Sequence, residues 1–234
     1  MDVVEVVPDL FYLRFPVGHA YLWRDADGLT LIDTSTPGNG TEIADAIRAI
    51  GSQPTDLRRV VLTHYHVDHA GSAAEIAAWG GVQICAHRAD APFVRGEAVG
   101  PAPVLADWER PLYARVVGDG PAPTPPQARI DIEVEDADVL DFGGGARIVA
   151  GPGHTPGSVA IHLPERRVLF TGDIAAGRGD GEAMLGVFNA DPPRAAASFR
   201  RLAGLDVDTV CFGHGEPLVR GAAGALRRAA EKQP

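Results

Sequence analysis

The stretch Val60-Val61-Leu62-Thr63-His64-Tyr65-His66-Val67-Asp68-His69 places four potential metal ligands within six residues, directly after an apolar run. Histidine nitrogens and carboxylate oxygens bind zinc and similar divalent ions. The chain has eight histidines in 234 residues, so three within six positions favour a metal site over a surface turn that happens to be polar. Ligands at the end of a strand and on the turn after it can converge on one point. The stretch therefore predicts a buried strand that ends in a metal centre.

Three further polar residues follow apolar runs in glycine-rich turns. They are His154 in Gly151-Pro152-Gly153-His154-Thr155-Pro156-Gly157, Asp173 in Thr171-Gly172-Asp173, and His214 in Phe212-Gly213-His214-Gly215. Glycine lets the backbone turn sharply at a strand end. One such turn alone is usually only a turn. Three of them, together with the first cluster, are better explained by a shared metal site.

Short β-prone runs and helical patterns order the rest of the chain. We predict strands at residues 3–7, 11–15, 20–24, 29–33, 59–63, 82–86, 139–140, 146–150, 158–163, 168–171 and 209–212. We predict helices at residues 41–50, 72–79, 193–203 and 220–231. Each half gives strands first and helices later. Two sheets packed face to face, with helices outside, would satisfy that order.

Composition and charge limit the class of protein. With 45% hydrophobic residues, the chain is expected to form one globular domain over residues 1–234. Its net charge of −10 disfavours a nucleic-acid partner. No apolar run approaches the roughly twenty residues of a membrane span, and the N-terminus lacks a basic, cleavable leader. We therefore expect a cytoplasmic protein without a membrane partner. Cys85 and Cys211 each end an apolar run, which is more typical of buried thiols than of a disulfide.

Residues 92–126 interrupt this pattern. The segment holds eight of the nineteen prolines, and it contains Phe93, Trp108 and Tyr113. A long proline-rich segment inside a domain is either a linker or a functional loop over a site. Aromatic residues are unusual in free linkers, so we predict a loop or lid at the substrate pocket. A subunit contact in a homodimer is the competing prediction.

With these motifs, the chain resembles the metallo-β-lactamase superfamily over nearly its whole length. Asp33 in Leu31-Ile32-Asp33-Thr34, the cluster from His64 to His69, and then His154, Asp173 and His214 occur in the family order. The resemblance implies an α/β fold, a four-layer αββα sandwich with metals at one edge between the sheets.

The resemblance also assigns a role to each matching position. The first metal would be held by His64, His66 and His154. The second metal would be held by Asp68, His69 and His214, with Asp173 as the bridge. Asp33 would orient the metal loops without touching metal, and the alternative is a plain strand-end turn residue.

These roles imply hydrolysis of a small-molecule substrate. Two divalent ions, zinc by expectation with iron or manganese as alternatives, would activate a water, and Asp68 would serve as the catalytic residue that takes its proton. A bridging Asp173 favours esters, thioesters and lactones over β-lactams, which is closer to the glyoxalase II and lactonase-like branch.

Two departures from that branch are visible. Glyoxalase II relatives add a C-terminal helical domain, but about twenty residues follow His214 here. Lactonases place a Tyr between the bridging Asp and the last His, and this chain has none between Asp173 and His214. A mononuclear-iron persulfide dioxygenase and a non-hydrolytic binding or cyclase-like protein are the alternative functions.

Three histidines match no ligand motif. We expect His162 to be exposed on an alternating strand, and His87 to make a structural hydrogen bond after a buried strand. For His19, a structural position is favoured over a contact with substrate.

Overall fold

The computed structural model describes residues 1–118, 120 and 122–233. The strands are β1 (Asp2–Val7), β2 (Leu10–Arg14), β3 (Ala20–Asp25), β4 (Gly28–Ile32), β5 (Leu57–Val61), β6 (Gln83–His87), β7 (Ile132–Val134), β8 (Val139–Leu140), β9 (Ala146–Ala150), β10 (Val159–Leu163), β11 (Val168–Phe170), β12 (Ala175–Gly177), β13 (Ala183–Leu185), β14 (Thr209–Cys211) and β15 (Leu218–Val219). The helices are α1 (Gly40–Ala49), α2 (Val67–Ala70), α3 (Ala73–Ala77), α4 (Ala91–Val94), α5 (Arg110–Val116), α6 (Pro192–Ala203) and α7 (Ala222–Ala230).

Two large sheets carry these strands. The first sheet has the order β1-β2-β3-β4-β5-β6-β7, antiparallel from β1 to β4 and parallel from β4 to β7. The second sheet has the order β15-β14-β11-β10-β9-β8, in which β11 and β14 are parallel and the other pairs antiparallel. Strands β12 and β13 form a separate hairpin. The strands that precede predicted ligands, β9, β11 and β14, consequently all run in the same direction.

Three apolar layers hold the sheets and helices together. The layer between the two sheets contains Tyr12, Trp23, Val61, Ile161 and Phe170. On the outer face of the first sheet, side chains of α1 and α3 pack against the strands. On the outer face of the second sheet, α6 and α7 do the same. Burial of these apolar faces is the main stabilising force of the sandwich. The four-layer αββα prediction is confirmed.

The helical faces follow the sequence pattern. In α1 the residues Ile43, Ala46 and Ile47 lie on the side that faces the sheet, and all are buried. Their spacing of three and four residues puts them on one helical face. In α6 the residues Phe199 and Leu202 take the same role against the second sheet.

Several element bounds differ from the predicted ones. The predicted strand 59–63 is instead β5 (Leu57–Val61). It ends early because the Thr63 N–H donates to the Asp33 carboxylate and not to a neighbouring strand. The predicted helix 72–79 is the shorter α3, and the separate turn of helix α2 precedes it.

The prediction that His162 is exposed is wrong. His162 lies in β10, a central strand of the second sheet whose residues are all buried. The alternating pattern assumed one solvent-facing side, but helices cover the outer face of this sheet. Burial accordingly lowers the pKa of His162.

Both cysteines are free and buried, as predicted. Burial raises the pKa of Cys85 to about 12 and holds that of Cys211 well above its ordinary value. In the part of the chain that the structure describes, every helix is too short or too polar to cross a bilayer.

Candidate metal centre

All seven predicted ligand residues lie at one edge of the sandwich. The loop after β5 carries His64 and His66, and α2 carries Asp68 and His69. The other three, His154, Asp173 and His214, follow β9, β11 and β14 of the second sheet. Since these strands all run toward the same edge, their carboxyl ends bring distant parts of the sequence together.

The first group of ligand atoms joins the two sheets. The residues are His64, His66 and His154, whose ring nitrogens lie within 4.8 Å of one another. The Nε2 atom of His154 lies 2.9 Å from Nδ1 of His66. The His64 ring lies edge-on to both, with centroid distances of 4.8 Å to His66 and 4.7 Å to His154.

A second group contains Asp68, His69 and His214, and one potential ligand atom of each residue lies within 4.8 Å of the others. Oδ2 of Asp68 lies 3.1 Å from Nε2 of His214 and 3.7 Å from Nε2 of His69. The third group, His64, His69 and Asp173, connects the other two.

Asp173 lies between the two groups. Its Oδ1 atom is 3.3 Å from Nε2 of His69, and its Oδ2 atom is 3.3 Å from Nε2 of His214 and 3.7 Å from Nε2 of His154. One carboxylate oxygen or the other therefore reaches imidazoles of both groups.

The spacing of the donor atoms fits a divalent ion, and so does the lack of hydrogen-bond partners for three of them among the residues described. Ligands about 2.0–2.1 Å from a tetrahedral zinc are about 3.3–3.4 Å apart, which is close to the distances around Asp173. Nε2 of His64, Nε2 of His69 and Oδ1 of Asp173 are buried without a hydrogen-bond partner among the residues described. Buried polar atoms normally have a partner, and a bound cation would supply one for all three.

Close packing of the turns contributes to this arrangement. A Cβ atom at Gly213 would collide with Oδ1 of Asp173 and with the His69 ring. Glycine at this position lets the last ligand loop lie against the ligands of the earlier motifs.

The electrostatics of the site divide the histidines into two sets. Burial lowers the pKa of His64 and His154, and it lowers the pKa of His66 to about 3. Neutral imidazoles of this kind are the form that binds metal. Asp173, by contrast, raises the pKa of His214 to about 10. Burial would lower the pKa of His69, but Asp173 and the other carboxylates nearby hold it well above its ordinary value.

Asp33 contacts the ligand loop without joining the ligand groups. Its Oδ1 atom accepts the Thr63 N–H at 2.7 Å, and its Oδ2 atom accepts the Thr63 hydroxyl at 2.7 Å. Oδ2 also lies 2.8 Å from Nδ1 of His69. A carboxylate on the far nitrogen of an imidazole fixes its tautomer and leaves Nε2 free for a metal. The geometry favours the orienting role of Asp33 over a plain turn residue.

One site residue was missed by the sequence reasoning. Asp90 is buried at the start of α4, and its carboxylate accepts hydrogen bonds from both loops that carry the first group. Burial raises the pKa of Asp90 to about 6, although the three hydrogen bonds act in the opposite direction. The signal in the sequence was an acidic residue shortly after β6, at the same sheet edge as His64. Asp before Ala-Pro reads more simply as the start of a helix.

Residues 101–113 of the proline-rich segment 92–126 contact residues close to His66 and His154. Asp119 and Pro121 fall outside the described residues. The Tyr65 hydroxyl lies 3.5 Å from the carbonyl oxygen of Pro101, and the Val104 N–H donates to the Asn189 carbonyl at 2.9 Å. Trp108 is 62% exposed.

The same segment contacts, through Glu109 and Tyr113, a loop that lies against His154. Oε1 of Glu109 accepts the Phe188 N–H at 2.9 Å, and the Tyr113 ring meets the Phe188 ring edge-on at 5.1 Å. The adjacent Val187 carbonyl lies 3.1 Å from Nδ1 of His154. A chain of direct contacts therefore runs from the segment to a candidate ligand.

His87 has the surroundings of a structural residue, whereas the buried Nδ1 of His19 has no hydrogen-bond partner among the described residues. Nδ1 of His87 accepts the Ala89 N–H at 3.1 Å, which confirms the predicted structural hydrogen bond. The backbone N–H of His19 donates to the Gly213 carbonyl at 2.9 Å. Burial lowers the pKa of His19 to about 4. The prediction that His19 is structural, and the alternative of a contact with substrate, both stay untested.

With the centre described, similarity to known proteins places the chain in a family. Residues 13–214 match the profile of the Metallo-beta-lactamase superfamily. The chain belongs to this superfamily.

Relatives by sequence are named as hydrolases. A “Probable metallo-hydrolase” of Bacillus subtilis (strain 168) is 28% identical over 230 residues, which cover 91% of this chain and 82% of that protein. A hydroxyacylglutathione hydrolase of Rhodobacter capsulatus is 27% identical over 84% of this chain and 61% of its own length. A hydroxyacylglutathione hydrolase from Fuscovulum blasticum is 32% identical over 74% of this chain and 54% of its own length. The chain thus spans less than two thirds of the hydroxyacylglutathione hydrolases.

Solved structures of the superfamily share the fold. BJP-1, a subclass B3 metallo-beta-lactamase of Bradyrhizobium japonicum, aligns with a TM-score of 0.73 at 22% identity, covering 100% of this chain and 90% of that one. A metallo-beta-lactamase family protein from Thermus thermophilus aligns with a TM-score of 0.70 at 22% identity, covering 97% and 79%. At this identity the likeness shows the fold alone.

Proposed function

We propose that this protein is a hydrolase with a dinuclear metal centre, occupied by zinc, that cleaves an ester, thioester or lactone bond of a small molecule. The observation that carries the proposal is the convergence of seven ligand side chains around Asp173, with three of their buried donor atoms lacking a partner among the described residues. Membership of the superfamily and the hydrolase-named relatives support the reaction class.

The ligand groups suggest how the ions would be shared. One ion would be held by His64, His66 and His154, and the other by Asp68, His69 and His214, with Asp173 contributing to both. Imidazole and carboxylate donors in these numbers suit zinc. Iron or manganese would use the same donors, so metal analysis decides among the three.

Exposure indicates from which side substrate enters. The side chains of His214 and Asp68 are 40% and 22% exposed, whereas those of His69 and His154 are 0% and 3% exposed. Water and substrate would therefore reach the centre past Asp68 and His214.

The chain's own residues would then divide the chemical work. Bound divalent ions supply Lewis-acid activation of water and of the substrate carbonyl. Asp68, at the open side, would orient the attacking water and take its proton at the carboxylate. The buried thiols Cys85 and Cys211 lie in strands of the two sheets and would take no part.

Two features favour an acyl substrate with an oxygen or sulfur leaving group. A carboxylate at the bridging position is typical of the ester- and thioester-cleaving branch and not of β-lactamases. Several relatives carry hydroxyacylglutathione in their names as the substrate. We therefore place thioesters first, and esters and lactones next.

The segment 92–126 would form the wall of the substrate pocket. Its contacts with Tyr65 and Phe188 put it beside the first ligand group, and the exposed ring of Trp108 offers apolar surface to a substrate. A subunit contact in a homodimer is the outcome that would replace this role.

A substrate panel tests the proposal. The purified protein is stripped of metal and reloaded with zinc, and both forms are assayed on thioesters, aryl esters, lactones and β-lactams. We expect hydrolysis of at least one acyl class by the reloaded form and none by the stripped form. Oxygen consumption with a persulfide by an iron-loaded form, without hydrolysis of any panel member, would overturn the proposal.

A further inference from the structure

The Asp90 carboxylate is a buried junction between two loops. Asp90 is 1% exposed. Its Oδ2 atom accepts the Tyr65 N–H at 3.1 Å and the Thr155 hydroxyl at 2.6 Å, and its Oδ1 atom accepts the Gly157 N–H at 2.6 Å. Three donors thus converge on one carboxylate that has no access to solvent.

The donors belong to the loops that carry the first ligand group. Tyr65 lies between His64 and His66, and Thr155 directly follows His154. One loop leaves β5 of the first sheet and the other leaves β9 of the second sheet. A backbone bond from Val159 N–H to the Thr63 carbonyl, 2.9 Å long, also joins them.

The surrounding residues are fitted to this junction. A Cβ atom at Gly157 would lie 2.6 Å from the Asp90 nitrogen and 2.7 Å from its Oδ1, so glycine is needed for the close approach. The Ser158 hydroxyl accepts the Thr155 N–H at 3.0 Å and lies 2.8 Å from the Thr155 hydroxyl. These contacts direct the Thr155 hydroxyl toward Asp90.

We propose that Asp90 is a positioning residue that sets the separation of His66 and His154, and through it the affinity of the first metal site. The inference rests on the proposed function, because it requires that these histidines bind metal. Asp90 itself does not touch the ligand atoms. It acts by holding two loops from different sheets at one spacing, so that the ligands are already in place before an ion arrives.

Three substitutions disturb the junction in different ways. Asp90→Asn keeps the volume but turns an amide NH₂ toward at least one of the N–H or O–H donors. Thr155→Val removes the hydroxyl at nearly constant volume, and Thr155→Ser retains it. Gly157→Ala introduces the colliding Cβ without any change of charge. Asp131→Asn is the control, since Asp131 also accepts a backbone N–H, from Ile84, in the first sheet but away from the ligands.

Metal affinity and a spectrum are the readouts. Competition with a chromophoric chelator gives the affinity for each zinc ion, and the visible spectrum of the cobalt-loaded protein reports the ligand geometry. We expect Asp90→Asn, Thr155→Val and Gly157→Ala to lower the affinity for one of the two ions about 10- to 100-fold and to change the cobalt spectrum. Thr155→Ser and Asp131→Asn should match the wild type in both.

Each other outcome has a definite meaning. Wild-type affinity and spectrum in both Asp90→Asn and Thr155→Val would overturn the inference and leave the proposed function intact. An equal loss of affinity in the Asp131→Asn control would also overturn it, because the effect would then be general destabilisation. If Asp90→Asn does not fold, Thr155→Val and its Thr155→Ser rescue decide. A wild-type protein that binds no metal would refute the proposed function itself.

Discussion

The Asp33 carboxylate makes three short contacts, and Asp33→Asn would show what they contribute. The contacts are those with the Thr63 N–H, the Thr63 hydroxyl and Nδ1 of His69. Asp33 is 2% exposed and has a φ of +59°. Asparagine tolerates this left-handed conformation as readily as aspartate does. The substitution therefore preserves backbone and volume while it removes the charge.

The size of the effect follows from the number of acceptors. The carboxylate serves one donor at Oδ1 and two at Oδ2, whereas the Asn side chain has one acceptor oxygen. At best two of the three contacts survive. A hydrogen bond to a charged group contributes about 1.5–3 kcal/mol, and about 1.4 kcal/mol is a tenfold change in affinity. We expect the ion bound through His69 to be held roughly 10- to 100-fold more weakly, the range found when an orienting group is removed.

Equilibrium competition with a zinc chelator measures this loss, and urea unfolding of the metal-free forms separates it from fold stability. The control is Asp25→Asn, since Asp25 accepts bonds from the Trp23 indole and the Gly143 N–H within the fold. Equal zinc affinity in wild type and Asp33→Asn would show that the Asp33 carboxylate does not strengthen metal binding through His69. Asp33 would then be a turn residue that does not orient His69.

Three further predictions test other parts of the account. Asp173→Ala should bind one ion instead of two, and its turnover should fall by more than the roughly 100-fold loss that follows removal of an orienting group. Its melting temperature should also fall, mainly because metal is lost. Near-normal turnover with two bound ions would show that Asp173 is not the bridge. Trp108→Ala should raise KM or change substrate preference at unchanged metal content, and its unfolding free energy should change by no more than about 0.5 kcal/mol because the side chain is exposed; a changed oligomeric state with unchanged kinetics would instead indicate a subunit contact. The buried thiols Cys85 and Cys211, whose pKa values burial raises, should resist alkylation in the native protein and both react after denaturation; a native thiol whose alkylation stops hydrolysis would contradict a thiol-free mechanism.

The candidate ligand residues, which the structure brings together, could be selected from the sequence because the pattern of apolar runs and turns shows where strands end. Apolar runs followed by a glycine turn and one polar residue recur before His154, Asp173 and His214, and a strand delivers its end to a fixed sheet edge. The pairing of sheets is not visible in this way. That the loop after β5 meets the loop after β9 was expected from the family resemblance and not from the strand pattern, because it depends on the packing of two sheets. Asp90 was missed because its donors, Tyr65 and Thr155, are distant in sequence.

Short elements and covered faces account for the other differences. Strands β7, β12 and β13 have three residues each, too few for a periodic pattern. Strands β11 and β14 are just as short, but a glycine turn with a polar residue follows each of them and marks the strand end. The wrong prediction that His162 is exposed and the correct prediction of the apolar face of α1 both came from periodicity. Alternation and helical spacing identify which side chains share a face, but only tertiary packing decides whether that face is covered.

A dinuclear centre requires two ions per chain, and the metal stoichiometry of the wild-type protein tests this requirement. Metal-free protein is titrated with zinc, and the ions retained after removal of unbound metal are counted against protein concentration. We expect two ions per chain. One ion or none under metal-replete conditions, with all seven ligand residues intact, would contradict the dinuclear centre.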